Sequence, residues 1–423
     1  MSSFLSGSDT AGNVTREDKM KAPICAFTTV FLLAFVAGAG AAERKYGPGV
    51  TDTEIKIGQT VPYSGPASAL GILGRIEGAY FEMINASGGV NGRKIKLISL
   101  DDAYSPPKTV EQTRKLVEQD EVFAIVGTFG TPGNLAISKY LNRNKVPQIL
   151  IGTGSPKFSD PKNLPWTTSF VMSLRVEAKI HAQYLLANKP EAKIGILFQN
   201  DDFGRDFVSA FRAGLGDKAA AMIVQELSYE VSSPTIDSQI ASLKSSGADT
   251  FFQATTPKFA AQAIRKASEI GWKPLQILPI GASQISIVLQ PAGLEASTGA
   301  LAAVFAKAPG DTIWDTDGDM RDYYAFMKKW APSENAADSA AQYAYSTAQM
   351  AVVLLKKCGE ELTRENLLKQ ATTVKDLQMP MFLPGIKINV SPSNYTPWNQ
   401  GKIARFDGTR WVPITDLIAV PDD

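Results

Sequence analysis

Two loops combine glycine with hydroxyl side chains, Gly127-Thr128-Phe129-Gly130-Thr131-Pro132 and Gly152-Thr153-Gly154-Ser155-Pro156. Each directly follows an apolar run that reads as a buried strand, Val122 to Val126 and Val146 to Ile151. Glycine exposes backbone N–H groups, hydroxyls donate hydrogen bonds, and the first loop opens a helix whose dipole favours an anion. The pair reads as a cradle for a carboxylate. Tight strand-to-helix turns use the same residue types, but two such loops on consecutive strands favour a binding site at the strand ends.

The other candidate chemistry is weaker. Gly71, Gly74 and Gly78 do not have the G-x-G-x-x-G spacing that brings backbone to a pyrophosphate, and no Gly-Lys-Ser or Gly-Lys-Thr ends a phosphate loop. Neither Ser64-Gly65 nor Gly154-Ser155 forms the G-x-S-x-G nucleophile elbow. The lone His181 rules out multi-histidine zinc sites, and its place in a helix between Lys179 and Gln183 reads as structural or surface rather than catalytic. Asp101-Asp102 and Asp201-Asp202 stand at strand ends before helices, where carboxylates cap free N–H groups. Asp315, Asp317 and Asp319 resemble the opening of a calcium loop, yet Phe326 stands where the twelfth-position Glu is needed. No enzyme, metal or cofactor is expected: no nucleophile, base and orienter can be assembled.

These loops need elements to hold them. From Glu54 the chain alternates short apolar runs with amphipathic stretches, the pattern of parallel sheets covered by helices. The first series runs from the strand Ile55 to Gly58, through a helix carrying Ala79, Phe81, Met83 and Ile84, to the strand Lys94 to Ile98. It continues with helices Pro107 to Gln119 and Asn134 to Asn142 around the two strands already named. A second series follows Trp166: helices Val176 to Ala187, Phe203 to Leu215, Ile236 to Ser245 and Phe259 to Ile270 alternate with strands Lys193 to Phe198, Met222 to Leu227, Thr250 to Gln253 and Leu275 to Ile280. Beyond Gly299 come the helices Ser339 to Lys357 and Thr363 to Thr372, and a hairpin turning at Asp407-Gly408. The expected fold is α/β, two doubly wound parallel-sheet lobes.

Composition sets the context. Met20-Lys21, the apolar run Ile24 to Ala39 and Gly40-Ala41-Ala42 have the order of a secretory signal peptide, so residues 1–42 are expected to be a leader cleaved after Ala42. The roughly 380 residues that remain exceed what one core usually serves, which suggests two domains. Lys and Arg total 43 against 42 for Asp and Glu, without a basic block, so nucleic acid and anionic membrane are not implied partners. Of the two cysteines, Cys25 leaves with the leader and Cys358 remains alone, expected to be a partly buried helix residue.

Several segments together resemble a family, the type I solute-binding proteins of ABC transporters, in the branch that binds branched-chain amino acids. They are Ile55-Lys56-Ile57-Gly58 leading to Tyr63-Ser64-Gly65-Pro66, Ile84 to Arg93, Asp101-Asp102, Val126-Gly127 and Asn200-Asp201-Asp202-Phe203-Gly204. The resemblance spans nearly all of 53–415. It implies a Venus-flytrap: two lobes joined by three crossovers near 171, 302 and 380, closing on one small molecule. Lobe 1 would comprise 53–171 plus 303–380, and lobe 2 would comprise 172–302 plus 381–420. The resemblance further implies that Thr131, Thr153 and Ser155, with the backbone around Gly130 and Gly154, hold a ligand carboxylate, that Phe203 closes over the ligand, and that Leu70 packs on its apolar end.

Two departures shift the expected ligand. Where the family's amino-acid binders place an acid to pair with the ligand ammonium, this chain has Gly281-Ala282-Ser283-Gln284, and Thr255-Thr256 replaces a supporting tyrosine. A buried ammonium without a counter-charge costs several kcal/mol, roughly. Tyr104 and Gly130 replace the family's small disulfide in the first lobe and are placed to line the pocket. The expected ligand is therefore a small organic acid with an aromatic or apolar body, with Phe129, Phe203, Tyr63, Tyr104 and Trp166 as candidate walls. Expected too are a periplasmic monomer and an ABC permease partner in the inner membrane. Branched-chain amino-acid binding and ligand sensing for a signalling receptor are the alternatives.

Overall fold

The computed structural model describes residues 46–421, so the expected leader lies outside the described residues. Strands β1 (Glu54–Val61), β2 (Lys94–Asp101), β3 (Ala124–Val126), β4 (Gln148–Ile151) and β5 (Thr167–Ser169) make a parallel sheet in the order β2-β1-β3-β4-β5. A second sheet contains β6 (Ile194–Gln199), β7 (Ile223–Tyr229), β8 (Thr250–Ala254), β9 (Leu275–Leu278), β10 (Leu301–Val304), β11 (Gln400–Phe406) and β12 (Trp411–Pro413). Its order is β12-β11-β10-β9-β8-β6-β7, with β13 (Ile418–Ala419) paired to β11. Strand β11 runs antiparallel to β10 and β12; the other pairings along β10 to β7 are parallel. Strands such as β3 and β8 are buried at every residue, as parallel strands covered on both faces must be.

Helix α1 (Ile72–Ala86) connects β1 to β2 and ends at Ser87, after which Gly88 and Gly89 take the left-handed conformation. Asn91 and Gly92 follow with positive φ, the turn their sequence predicts. Helices α2 (Pro106–Glu118) and α3 (Thr131–Arg143) complete the first series. The second contains α4 (Leu174–Asn188), α5 (Asp202–Leu215), α6 (Asp237–Ser245) and α7 (Pro257–Glu269). After β10 the chain returns to the first sheet: α8 (Gly318–Trp330) and α9 (Ser339–Lys357) pack on α1 through Tyr80, Phe326 and Tyr345, with ring centroids 5.0–5.7 Å apart. The last helix is α10 (Arg364–Ala371).

The differences from expectation have local causes. Strand β9 stops at Leu278, not Ile280, because Pro279 has no N–H to donate. Strands β5 and β10 and helix α8 are additional elements. The Asp315, Asp317, Asp319 run is no calcium loop: Asp317 caps α8 by accepting from the Met320 N–H, and the buried Lys307 ammonium bridges Asp317 and Asp319 at 2.8–2.9 Å. Cys358 is the buried C-cap of α9, its thiol pushed up to about 12 by burial and by Glu361. Asp201 caps α5 through the Gly204 N–H as expected, whereas Asp101 and Asp102 fix the loop before α2, whose N-cap is Ser105.

Candidate functional site

The two hydroxyl loops meet at the carboxyl ends of β3 and β4. A parallel bridge joins Phe129 to Gly152, with the Gly152 N–H donating to Thr128 at 2.9 Å. Gly127 is required there: its φ is +71°, and a Cβ would lie 2.6 Å from the buried Glu77 carboxylate, which accepts from Gln59 at 2.6 Å. Burial pushes the Glu77 carboxyl well above its ordinary range, the Gln59 bond opposing. Asn134 holds the first loop by donating to Thr128 and Gly130.

The three expected hydroxyls do not converge. Thr131 and Thr153 are buried and lie 2.6 Å from each other, Oγ1 to Oγ1. Ser155 turns to the second sheet's side and donates to Asp206 on α5, whose carboxylate also meets Lys157 at 3.2 Å. Gly154 packs on the crossover into α4: a Cβ would lie 2.3 Å from the Met172 carbonyl, and its own carbonyl accepts from the Leu174 N–H at 2.7 Å.

Beside the cradle, a cavity of about 160 Å³ opens between the halves. Leu70, Leu73 and Phe129 face Ile280, Ile285 and Trp411 across it, and Gly281 lies in its lining. Its walls are predominantly apolar. Of the expected ligand-binding residues only Leu70, Phe129 and Gly281 line it; Gly130, Thr131, Thr153, Gly154 and Ser155 do not, nor do Phe203, half-buried against Phe207, and Thr255, whose buried hydroxyl donates to Gln253 at 3.3 Å. A wider hollow of about 880 Å³ lies outside, bordered by Gly65, Ser68, Tyr104 and Ser105 of the first half and Val231 and Lys258 of the second.

Tyr104 stands at the junction. Ala103 and Tyr104 both have positive φ, 51° and 58°, a conformation that costs non-glycine residues on the order of 1 kcal/mol each. Asp101 and Asp102 support it by accepting from the N–H groups of Ala103 and Tyr104, each at 2.9 Å. Burial opposes ionisation of Asp101, but bonds from Ser64, Ala103 and Lys108 outweigh it and hold the carboxyl below the usual range. The Tyr104 ring covers Gly130, where a Cβ would approach it to 2.7 Å, and lies 6.2 Å from the Phe129 ring. Tyr63, another expected wall, instead hydrogen-bonds Ser99 at 2.7 Å and packs over Gly71 and Gly74.

The second half's cleft loop is tied from behind. The Ile280 N–H donates at 2.7 Å to Glu177 on α4, and Glu177 lies 3.9 Å from His181. Both side chains are buried, so His181 is not the surface residue that its helix position also allowed. Sequence reasoning missed Trp411, Ile285 and Tyr343 as cavity residues. Trp411 carried a signal, as an aromatic at a hairpin; Tyr343 sits in the expected helix Ser339–Lys357, and Ile285 begins a short helical turn, Ile285–Leu289, where no element was expected. Among the described residues no cluster of His, Cys, Asp or Glu could hold a metal ion, and no helix is long and apolar enough to cross a membrane.

A mostly parallel pair of sheets around an interior cleft is matched by sequence: the pattern of the family described as Periplasmic binding protein fits residues 54–410. The chain belongs to the periplasmic binding protein family. It is 27% identical over 243 residues to Leu/Ile/Val-binding protein homolog 7 of Brucella suis, covering 56% of this chain. The chain spans about 60% of the length of the curated relatives it matches. The fold is shared with a branched chain amino acid ABC transporter protein from Thermus thermophilus with bound valine, TM-score 0.79 at 18% identity over 88% of this chain and 98% of that one. A solute binding protein from Rhodopseudomonas palustris in complex with 3,4-dihydroxy benzoic acid gives 0.73 at 20% identity, covering 88% and 98%.

Proposed function

We propose that this chain is an extracytoplasmic receptor of an ABC importer that captures a small organic acid with an aromatic or apolar body between its halves and delivers it to an inner-membrane permease. The observation that carries this reading is the apolar cavity beside the glycine and hydroxyl loops. Its volume, about 160 Å³, is close to that of cavities that take up a benzene ring. The ligand's body fills it, and its carboxylate is held by Thr131 and Thr153 with the backbone of their loops; Ser155 contributes when Asp206 releases it. Valine and 3,4-dihydroxybenzoate, the molecules bound by the two structural neighbours, are both carboxylic acids. Export to the periplasm, lobe boundaries at 53–171 plus 303–380 and 172–302 plus 381–420, and a monomeric state belong to the same proposal.

An ammonium group fits less well. The loop after β9 offers Gly281 to Gln284 and no carboxylate, and Glu177 behind it is pushed up to about 8 by burial, so it is neutral around pH 7. Thermal-shift screening and calorimetry with benzoate, octanoate, L-leucine and glycine test the reading. A ligand at 100 times its Kd adds about 2.7 kcal/mol. Benzoate or octanoate should raise the melting temperature more than leucine. Replacing Thr131 and Thr153 together by Val should cost the acid about 1.5–3 kcal/mol per lost bond; the free protein loses both partners of their mutual bond together, and the 3.3 Å bond from the Ser155 N–H to Thr153 with it. Stabilisation by leucine alone would overturn the ligand class.

A further inference from the structure

Tyr104 does more than line the cleft. It belongs to the loop after β2, on the first half, yet its hydroxyl accepts a hydrogen bond at 3.3 Å from Nε2 of Gln199, the last residue of β6 in the second half. Gln199 sits in a buried polar set. Its Oε1 accepts from Tyr229 at 3.2 Å and from Thr256 at 3.1 Å, and the Thr256 N–H donates to the Tyr229 oxygen at 3.1 Å. The same Nε2 also meets Asp201. These groups occupy strand ends facing the cleft, where a ligand's polar group would otherwise be read.

The chain invests in this placement. Two successive non-glycine residues adopt left-handed backbone, two aspartates hold them there, and Gly130 leaves the space that the ring fills. Tyr104 borders the open hollow while Phe129 borders the enclosed cavity, and the adjacent rings stand between them. We propose that Tyr104 is a specificity-determining residue: it takes, in place of a ligand group, the polar station built by Gln199, Tyr229 and Thr256, ties the halves together without ligand, and confines the inner cavity to ligands with no polar group on that side. The specificity arm rests on the solute-receptor reading; the tie does not.

The test uses Tyr104→Phe and Tyr104→Ala. Spin labels on exposed positions of the two halves report the distance between them in unliganded protein. The wild type should give mainly the short distance, and Tyr104→Phe, which loses only the hydroxyl, should raise the open-to-closed ratio about fivefold, the equivalent of about 1 kcal/mol. In calorimetry, Tyr104→Ala should gain affinity for L-leucine relative to benzoate, because the vacated station accepts an ammonium. An unchanged distance distribution in Tyr104→Phe, or an open unliganded wild type, would overturn the tie; an unchanged leucine-to-benzoate ratio in folded Tyr104→Ala would overturn the specificity role. If wild type binds no acid at all, the receptor's ligand class fails while the distance measurement still decides the tie.

Discussion

Glu177 and His181 give the protein a distinctive dependence on pH. Burial penalises the charged form of each: the carboxyl is pushed from 4.5 up to about 8, and the imidazole from 6.5 down to about 3. Near neutrality both are uncharged, so their 3.9 Å contact is not an ion pair. For Glu177 the unfolded chain ionises first, and the stability this group confers is full below pH 4.5 and lost as pH rises through 8. His181 works in the opposite direction. Its folded form resists protonation, so its contribution is present above pH 6.5 and lost as pH falls through 3. The slopes of these two groups cancel between 4.5 and 6.5. From pH 6.5 to 8 the His181 slope is gone and the Glu177 limb alone, over about 1.5 pH units at ~1.4 kcal/mol each, gives a loss of about 2 kcal/mol, beside a loss of the same sign from the buried Glu77 carboxyl. Glu177→Gln keeps a carbonyl oxygen for the Ile280 N–H but cannot ionise, and it should remove the Glu177 share of that loss. Urea unfolding of both proteins at pH 6.5 and pH 8 measures it. If the Gln variant loses stability between those pH values as the wild type does, the assignment to Glu177 is refuted.

Gly130→Ala sets a Cβ 2.7 Å from the Tyr104 ring at a φ of +94°, so it should destabilise the free protein by about 1–3 kcal/mol, read as a lower denaturant midpoint. Asp317→Asn keeps the cap on α8 but weakens the hold on Lys307, at about 1.5–3 kcal/mol by urea unfolding. Burial works against ionisation of Asp317, but the Lys307 ammonium and the Met320 N–H prevail and lower its pKa, so the wild type's advantage is present above the ordinary carboxylate range and fades as pH falls below it.

The parallel architecture was legible because strands such as β3 and β4 carried short apolar runs, β2 alternated, and the turn after α1 carried its glycines. Helix α9 matches its expected span, Ser339–Lys357, residue for residue. What escaped had weak local signals. Strand β5 is Thr-Thr-Ser, buried but polar, and β10 is Leu-Ala-Ala-Val, as readable as a helix. Helix α8 begins inside an acidic run whose spacing imitated a metal loop. At the site, composition located the loops but not the directions of their side chains. That Thr131 pairs with Thr153 while Ser155 leaves for Asp206 depends on where α5 lies across the cleft, and no periodicity within either loop encodes it.

Strand β11 closes the second sheet by pairing with β10, nearly a hundred residues earlier in the chain. Until residues 400–413 are available, β10 presents an open edge, and the buried Trp411 that walls the cavity has not yet arrived. Completion of the second sheet therefore waits on β11 and β12, and contacts so distant in sequence slow it. A chain released before residue 400 would retain the first sheet's strands yet lack Trp411 from the cavity wall and leave the β10 edge adhesive, which makes the β11–β12 hairpin the step that covers that edge and completes the cavity.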